Sequence, residues 1–216
     1  MIAPRVLHHT AIALAALGVS VGSGEAVTLS TGNSPDNGQA GIMFDLQVAG
    51  TGVTLEEIEV HLDATSDADF QLYTVLGGWQ PVGSDPDAWT LNDSFSSVNV
   101  TQGLNSFDIT DLFVAANTTL GFYFTTGGPT ILNYRNGTGI GNVTATDGNL
   151  SILEGRGRFG LFEGSSSGAR GFVGSVTYSL AETPGSAAIP LPTPALMLLV
   201  GLGAFAGVGR LRGRRA

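Results

Sequence analysis

The chain has 216 residues and a formal net charge of −9, with no Cys and no Lys, so that all nine basic residues are Arg. The absence of Cys excludes disulfides, thiolate metal sites and a Cys nucleophile, and the absence of Lys excludes the Walker-type phosphate loop and Schiff-base chemistry on the chain's own amine. Glycine is 32 of 216 residues, about twice the usual ~7%, and charged residues make up 12% against a usual ~25%.

Residues 1–26 read as a secretory signal peptide. Arg5, His8 and His9 form a positive start, residues 10–21 (TAIALAALGVSV) a short apolar core, and Gly24-Glu25-Ala26 a small-x-small cleavage site. A buried N-terminal helix is the bland alternative, but it would rarely combine a basic start with such a tripeptide. Residues 27–188 then carry 17 acidic residues against four Arg (Arg135, Arg156, Arg158 and Arg170), a net charge of −13. A surface this acidic repels nucleic acid and anionic lipid.

The body, 27–182, alternates with period two. Ile42, Phe44, Leu46 and Val48 share a face, with Asp45 and Gln47 opposite; Ile58, Val60 and Leu62 oppose Glu57, Glu59, His61 and Asp63. Phe70, Leu72 and Leu76 alternate with Gln71 and Tyr73, and Leu120, Phe122 and Phe124 with Gly121, Tyr123 and Thr125. Phe172, Gly174, Val176, Tyr178 and Leu180 form a last stripe. Turn signals separate these runs: Asp36-Asn37-Gly38, Gly77-Gly78, Asp85-Pro86-Asp87, Gly127-Gly128-Pro129, Asn136-Gly137 and Asp147-Gly148-Asn149. Only Asp111–Ala116 hints at a helical turn. The expectation is an all-β domain, an antiparallel two-sheet sandwich or jelly roll of about eight to ten strands, large enough to be stable without disulfides. Gly164–Gly168 (GSSSG) reads as a flexible loop tip, and 183–188 as a linker.

Residues 189–216 have their own pattern. Ile189-Pro190-Leu191-Pro192 precedes the apolar run 195–208 (ALMLLVGLGAFAGV), and Arg210, Arg212, Arg214 and Arg215 close the chain. Fourteen residues of helix reach about 21 Å, short for a ~30 Å hydrocarbon core, and the Arg block predicts that this end stays cytoplasmic while the body lies outside. The combination of Pro motif, apolar helix and terminal Arg block resembles the PEP-CTERM class of sorting signals, in the variant written VPLPA. Ile189 stands where that variant has Val, and Thr193-Pro194 where Ala and Gly are common, which leaves the variant open. The resemblance covers about 28 residues. It implies an exported protein of a Gram-negative, exopolysaccharide-making bacterium, transiently held in the inner membrane through residues 195–208. It further implies processing by an exosortase-type protease and a final place at the cell surface, in a biofilm matrix, or secreted. An ordinary C-terminal anchor is the alternative.

Two enzyme-like patterns fail in context. Gly155-Arg156-Gly157-Arg158-Phe159-Gly160 matches G-x-G-x-x-G, but a strand-like stretch, 159–162, follows instead of a helix, so a hairpin turn is the better reading. Gly164-Ser165-Ser166-Ser167-Gly168 matches G-x-S-x-G without the helix or a later His that a nucleophile elbow needs. His61 among carboxylates reads as a solvated face, because zinc usually takes several His or Cys ligands. Calcium, which prefers carboxylate oxygens, has candidate ligands in Asp63, Asp67 and Asp69 and in Asp85 and Asp87, with turn-capping Asp the plainer reading. Trp79 and Trp89 bracket the loop between them and are the candidate carbohydrate-binding residues if exposed, with Tyr73, Tyr123 and Tyr134 as partners; core filling is the plainer reading. No catalytic residue stands out. The functional expectation is a structural or adhesive exported protein acting with exopolysaccharide; the alternatives are a carbohydrate-binding module and a secreted polysaccharide hydrolase, which would need two facing carboxylates.

Overall fold

The computed structural model describes residues 24–181. The residues ahead of Gly24 and the whole sorting motif, Ile189 to Arg215, lie outside the described residues. Among the described residues there is no α-helix, and no helix long and apolar enough to cross a membrane. The described residues form thirteen strands: β1 Ala26–Ser30, β2 Asn37–Gln39, β3 Gly41–Val48, β4 Val53–Leu62, β5 Asp67–Leu76, β6 Thr90–Asn99 and β7 Gly103–Val114, followed by β8 Thr119–Thr125, β9 Leu132–Asn136, β10 Val143–Thr146, β11 Leu150–Arg158, β12 Arg170–Phe172 and β13 Gly174–Leu180. All pairings are antiparallel, in the order β1-β13-β4-β9-β12-β11-β3-β8-β5-β6, with β7 added to β4, β2 to β9 and β10 to β11. The expected all-β, antiparallel class is what the structure has.

One cluster of buried side chains unites distant parts of this path. Ile42, Phe44 and Leu46 of β3 and Phe122 and Phe124 of β8 join Val53, Leu55, Ile58 and Val60 of β4 and Val176 and Tyr178 of β13. Aromatic rings carry much of the contact. Phe44 stacks on Phe172 at 4.7 Å between centroids, and Phe107 of β7 meets Phe70 of β5 at 4.9 Å and Phe124 at 5.0 Å. Such pairs contribute about 0.5–1.5 kcal/mol each beyond the apolar area they bury. The three-residue step from Leu55 to Ile58, both buried, breaks the period of two. A β-bulge absorbs it, shifting the β4–β7 register between Leu55 and Glu57.

Several local expectations change. The described residues hold thirteen strands, above the expected eight to ten; Asn37–Gln39 and Arg170–Phe172, three residues each and paired against β9, are part of the excess, and the first of them lies in a stretch that reads as a turn. Asp111–Val114 is not a helical turn but the end of β7, where Leu112, Phe113 and Val114 pair with Leu55, Thr54 and Val53. Leu76 ends β5 at 75% exposure and so leaves the stripe of Phe70 and Leu72. The Gly155–Arg158 segment is strand, not hairpin: its glycines are there because neighbours press on the backbone. A Cβ on Gly155 would lie 1.8 Å from the Met43 carbonyl oxygen, and one on Gly157 2.2 Å from Tyr134 Oη. Residues 159–162, expected to be strand-like, form the turn instead. The GSSSG segment is pinned: Ser166 is buried, its Oγ accepting from Gly157 N–H at 3.1 Å and donating to Gly168 O at 3.0 Å.

A part-buried polar contact joins β13 to the β10–β11 turn. Tyr178 Oη donates to Asp147 Oδ2 at 2.6 Å, while Asp147 Oδ1 accepts from the backbone N–H groups of Asn149 and Leu150. Burial, then this hydrogen bond to an anion, pushes the Tyr178 phenol up to about 12. The folded chain therefore keeps a proton that the unfolded chain releases near pH 10.

Two outcomes follow. Gly155→Ala should lower the unfolding free energy in urea by about 3 kcal/mol, whereas Gly50→Ala, where an added Cβ meets nothing within 4 Å, should change it by less than about 0.5 kcal/mol. Stability measured in urea should fall as the pH rises from about 10 to about 12, and Tyr178→Phe should flatten that fall.

Candidate functional site: the cleft beside Trp79

The second apolar cluster lies on the other face of β3, β5 and β8. Met43 of β3 and Tyr123 of β8 meet Trp79 and Trp89, with Tyr73 and Val75 of β5 and Phe162 packed around them. The cover comes from two loops, 77–89 and 159–169. Gly77 and Gly78, at φ +88° and +94°, reverse the chain after β5. Gly121 of β8 lets the returning loop come down on the sheet, since a Cβ there would lie 2.7 Å from Trp79 N. Two short 3-10 turns, Gln80–Val82 and Pro86–Ala88, shape the rest.

Polar contacts fix both loops. The buried Asp45 carboxylate accepts the Trp79 N–H at 2.8 Å. Burial raises its pKa from the ordinary 3.8, and the Trp79 N–H pulls part of that back. Trp89 Nε1–H donates to Val82 O at 3.0 Å, and Tyr123 Oη to Gly160 O at 3.0 Å. Phe162, at φ +58°, sets its ring 5.1 Å from Tyr123 and 5.9 Å from Trp89. Arg158 crosses between the loops: its Nη2 donates to Gly83 O, to Ser84 Oγ at 3.3 Å and to Phe162 O at 3.2 Å. It is only 3% exposed, and burial lowers its pKa.

Between the loops is a cleft of about 350 Å³, lined by Trp79, Gln80, Ser84, Arg156, Arg158 and Ser165 among others. Two polar atoms at this cleft, Trp79 Nε1 and Arg158 Nε, are buried without a hydrogen-bond partner among the described residues. Buried donors are usually paired, and leaving one unpaired costs about 1–3 kcal/mol.

The expected sites fare unequally. Trp79 and Trp89 do come together, but at 6% and 8% exposure they fill a core and present no open face as a sugar platform. Of the expected partners, Tyr73 and Tyr123 are beside them, while Tyr134 belongs to the main core. Four of the five candidate calcium ligands, all but Asp87, accept from another donor. Asp63 accepts from Gln102 Nε2 at 2.8 Å, Asp67 from Asn99 Nδ2 at 3.0 Å and Asp69 from Ser97 N at 2.7 Å. Asp85 Oδ1 accepts the Asp87 N–H at 3.2 Å and caps its own turn. Among the described residues no group of three or more His, Asp or Glu side chains is placed to hold a metal ion. His61 Nδ1 lies 3.2 Å from Asn133 Nδ2. At the expected cleavage site, Ala26 opens β1 and pairs with Ser179 of β13.

Arg156 and Arg158 were not singled out by the sequence reading, which took them as part of a turn. The available signal was their spacing: two residues apart in a strand places both on one face, here in a body with only four Arg.

No family model and no curated protein sequence matches the chain. Among solved structures, chains of infectious bursal disease virus strains Gx and Gt are similar at 12% and 13% identity, with TM-scores of 0.24 and 0.27. The matches cover 90% of this chain and 53% and 55% of theirs, so the chain spans about half the length of those chains.

Asp45 provides the test of how the cover is held. Its raised pKa means that the folded state holds the proton more tightly, so its contribution to stability declines as the pH rises from about 4 through the folded value. Asp45→Asn, which keeps an oxygen for the Trp79 N–H, should remove this decline in urea unfolding between pH 4 and 7. Asp45→Ala should lose about 1–3 kcal/mol and shift Trp emission to the red.

Proposed function

We propose that this is an exported β-sandwich protein of the bacterial cell surface or extracellular matrix, with a structural or adhesive role alongside exopolysaccharide and no catalytic activity. One feature carries this reading: the tail, in which Ile189-Pro190-Leu191-Pro192, the apolar run 195–208 and the block Arg210, Arg212, Arg214 and Arg215 occur in the order of a PEP-CTERM-type signal. The apolar start of the chain, ending at Gly24-Glu25-Ala26, supplies the matching export signal. On this reading the precursor enters the inner membrane through residues 195–208, an exosortase-type protease removes the tail, and the acidic body is released.

The sandwich form is supported by rings that meet across the strand path, such as Phe44 of β3 on Phe172 of β12 and Phe70 of β5 on Phe107 of β7. Closing the sheet into two facing layers is how a thirteen-stranded path buries one continuous core. A body cut after Ala26 would lose the Ala26↔Ser179 pair and retain the four pairs from Val27↔Tyr178 to Ser30↔Ser175, so β1 would stay paired.

A second reading, a carbohydrate-binding module, is favoured by one observation: the polar cleft beside Trp79, with its two unpaired buried donors. Recognition would then use the walls of the cleft instead of an exposed indole.

Mass spectrometry of the protein purified from the outside of its producing cell checks the first reading. The mature chain should begin at Val27 and end upstream of RLRGRRA; a chain that still ends in RLRGRRA contradicts processing.

A further inference from the structure

We propose that the cleft beside Trp79 binds a carboxylate-bearing, hydroxyl-rich small ligand of the sugar-acid class, a uronate, either free or as a residue of a longer glycan. The proposal rests on the second reading above and names its ligand. Its first support is the pair of buried donors left over when the fold is complete. Trp79 is 6% and Arg158 3% exposed, yet Trp79 Nε1 and Arg158 Nε find no acceptor among the described residues. All of the side-chain hydrogen bonds of Arg158 run through Nη2, and their acceptors are two carbonyls and a hydroxyl. Among the described residues the cation thus has no carboxylate partner of its own, in a body that has 17 acidic residues. A buried guanidinium without a counter-charge is suited to receive one from outside, and its planar fork matches a carboxylate.

The second support is the local sign of charge. Arg156 stands at the same cleft, partly exposed, and makes no side-chain hydrogen bond among the described residues. Two of the body's four Arg therefore converge on one opening. No acidic side chain lines it. The rest of the surface repels anions, and that repulsion grows with ligand charge. Attraction by the two guanidinium groups and repulsion by the rest of the surface both scale with ligand charge, so the preference for a sugar carboxylate over phosphate rests on the polar wall around them. The remaining wall suits a polyol: Gln80 and the hydroxyls of Ser84 and Ser165 offer donors and acceptors, and Trp79 offers an apolar edge.

Size and rigidity agree. The cleft, about 350 Å³, is at the small end of ligand sites, which run from about 300 to 1,000 Å³, and so accommodates one ring rather than a polymer segment. Its walls are fixed in advance, one by the Asp45 contact to Trp79 and the other by the Ser166 bonds to Gly157 and Gly168. A preformed site spends little binding energy on ordering itself.

The test uses the full chain in detergent micelles, with intrinsic Trp fluorescence and calorimetry as readouts. Sodium glucuronate should give a saturable change, with glucose, acetate and inorganic phosphate each at least about tenfold weaker, as the loss of one charge-assisted contact implies. Arg158→Gln should weaken glucuronate by about tenfold or more. Because Arg158 also ties the two loops, Arg156→Gln is the cleaner variant: it should weaken glucuronate several-fold at unchanged thermal midpoint. An oligoglucuronate bound more tightly than the monomer assigns the source to a glycan, and equal affinity assigns it to the free acid. Glucose binding as tightly as glucuronate, untouched by Arg156→Gln, overturns the acidic ligand and leaves the carbohydrate reading standing. Phosphate binding more tightly than glucuronate overturns the sugar-acid class. No response to either sugar overturns this proposal and the carbohydrate reading together.

Discussion

The hydrogen bond from Trp79 N–H to the buried Asp45 carboxylate is the contact on which the unusual part of this structure depends. Strands β3 and β8 are apolar on one face by pattern, as any half-buried strand is. Their other face, carrying Met43, Asp45, Gly121 and Tyr123, is also out of water because a loop is held down upon it. Gly121 leaves the gap, Gly77 and Gly78 make the reversal, and Asp45 supplies the acidic anchor beneath the loop. A carboxylate is a costly choice for a buried site. It is tolerated here because a backbone donor meets it.

The same logic runs through the acidic residues. With no Lys and four Arg in the body, the carboxylates have few cations to pair with. Many accept hydrogen bonds instead. Asp36 takes the Asn136 N–H at 2.6 Å, Asp93 the hydroxyl of Thr110 at 2.7 Å, and Glu154 the N–H groups of Thr138 and Gly139 at 2.7 and 2.8 Å. Turns and strand ends are thereby closed by anions acting as acceptors, bonds that are stronger than neutral ones. Arg158 is the complement of this arrangement: a buried cation that ties loops through neutral oxygens and keeps its charge available.

How much of this was legible in the sequence follows from the range of the interactions. Alternation in 42–48, 58–62 and 120–124 reports a local face, and those strands and their core residues are as read. The chain reversal at Gly77-Gly78 and the Asp147-Gly148-Asn149 turn are equally local, decided by φ and by one side chain. What the pattern could not carry is what covers the polar-looking face. Asp45 reads as solvated because its neighbour in space, Trp79, is 34 residues away. Gly155 and Gly157 read as a turn because the atoms that crowd them, Met43 O and Tyr134 Oη, come from β3 and β9. The two Trp residues were visible as a pair. That both are buried, with Trp79 alone of the two lining the cleft, depends on Phe162 and Arg158, which arrive from a distant loop and strand.

The central claim is that the 77–89 loop is a fixed layer of the structure and that the cleft beside it is formed before any ligand arrives. Amide hydrogen exchange at Trp79 tests this most directly, because its N–H is bonded only to Asp45. The account predicts exchange as slow as that of the β8 amides, opening only with the sheet itself. Exchange at Trp79 as fast as at an open loop such as Gly127–Gly128, while β8 stays protected, would contradict it.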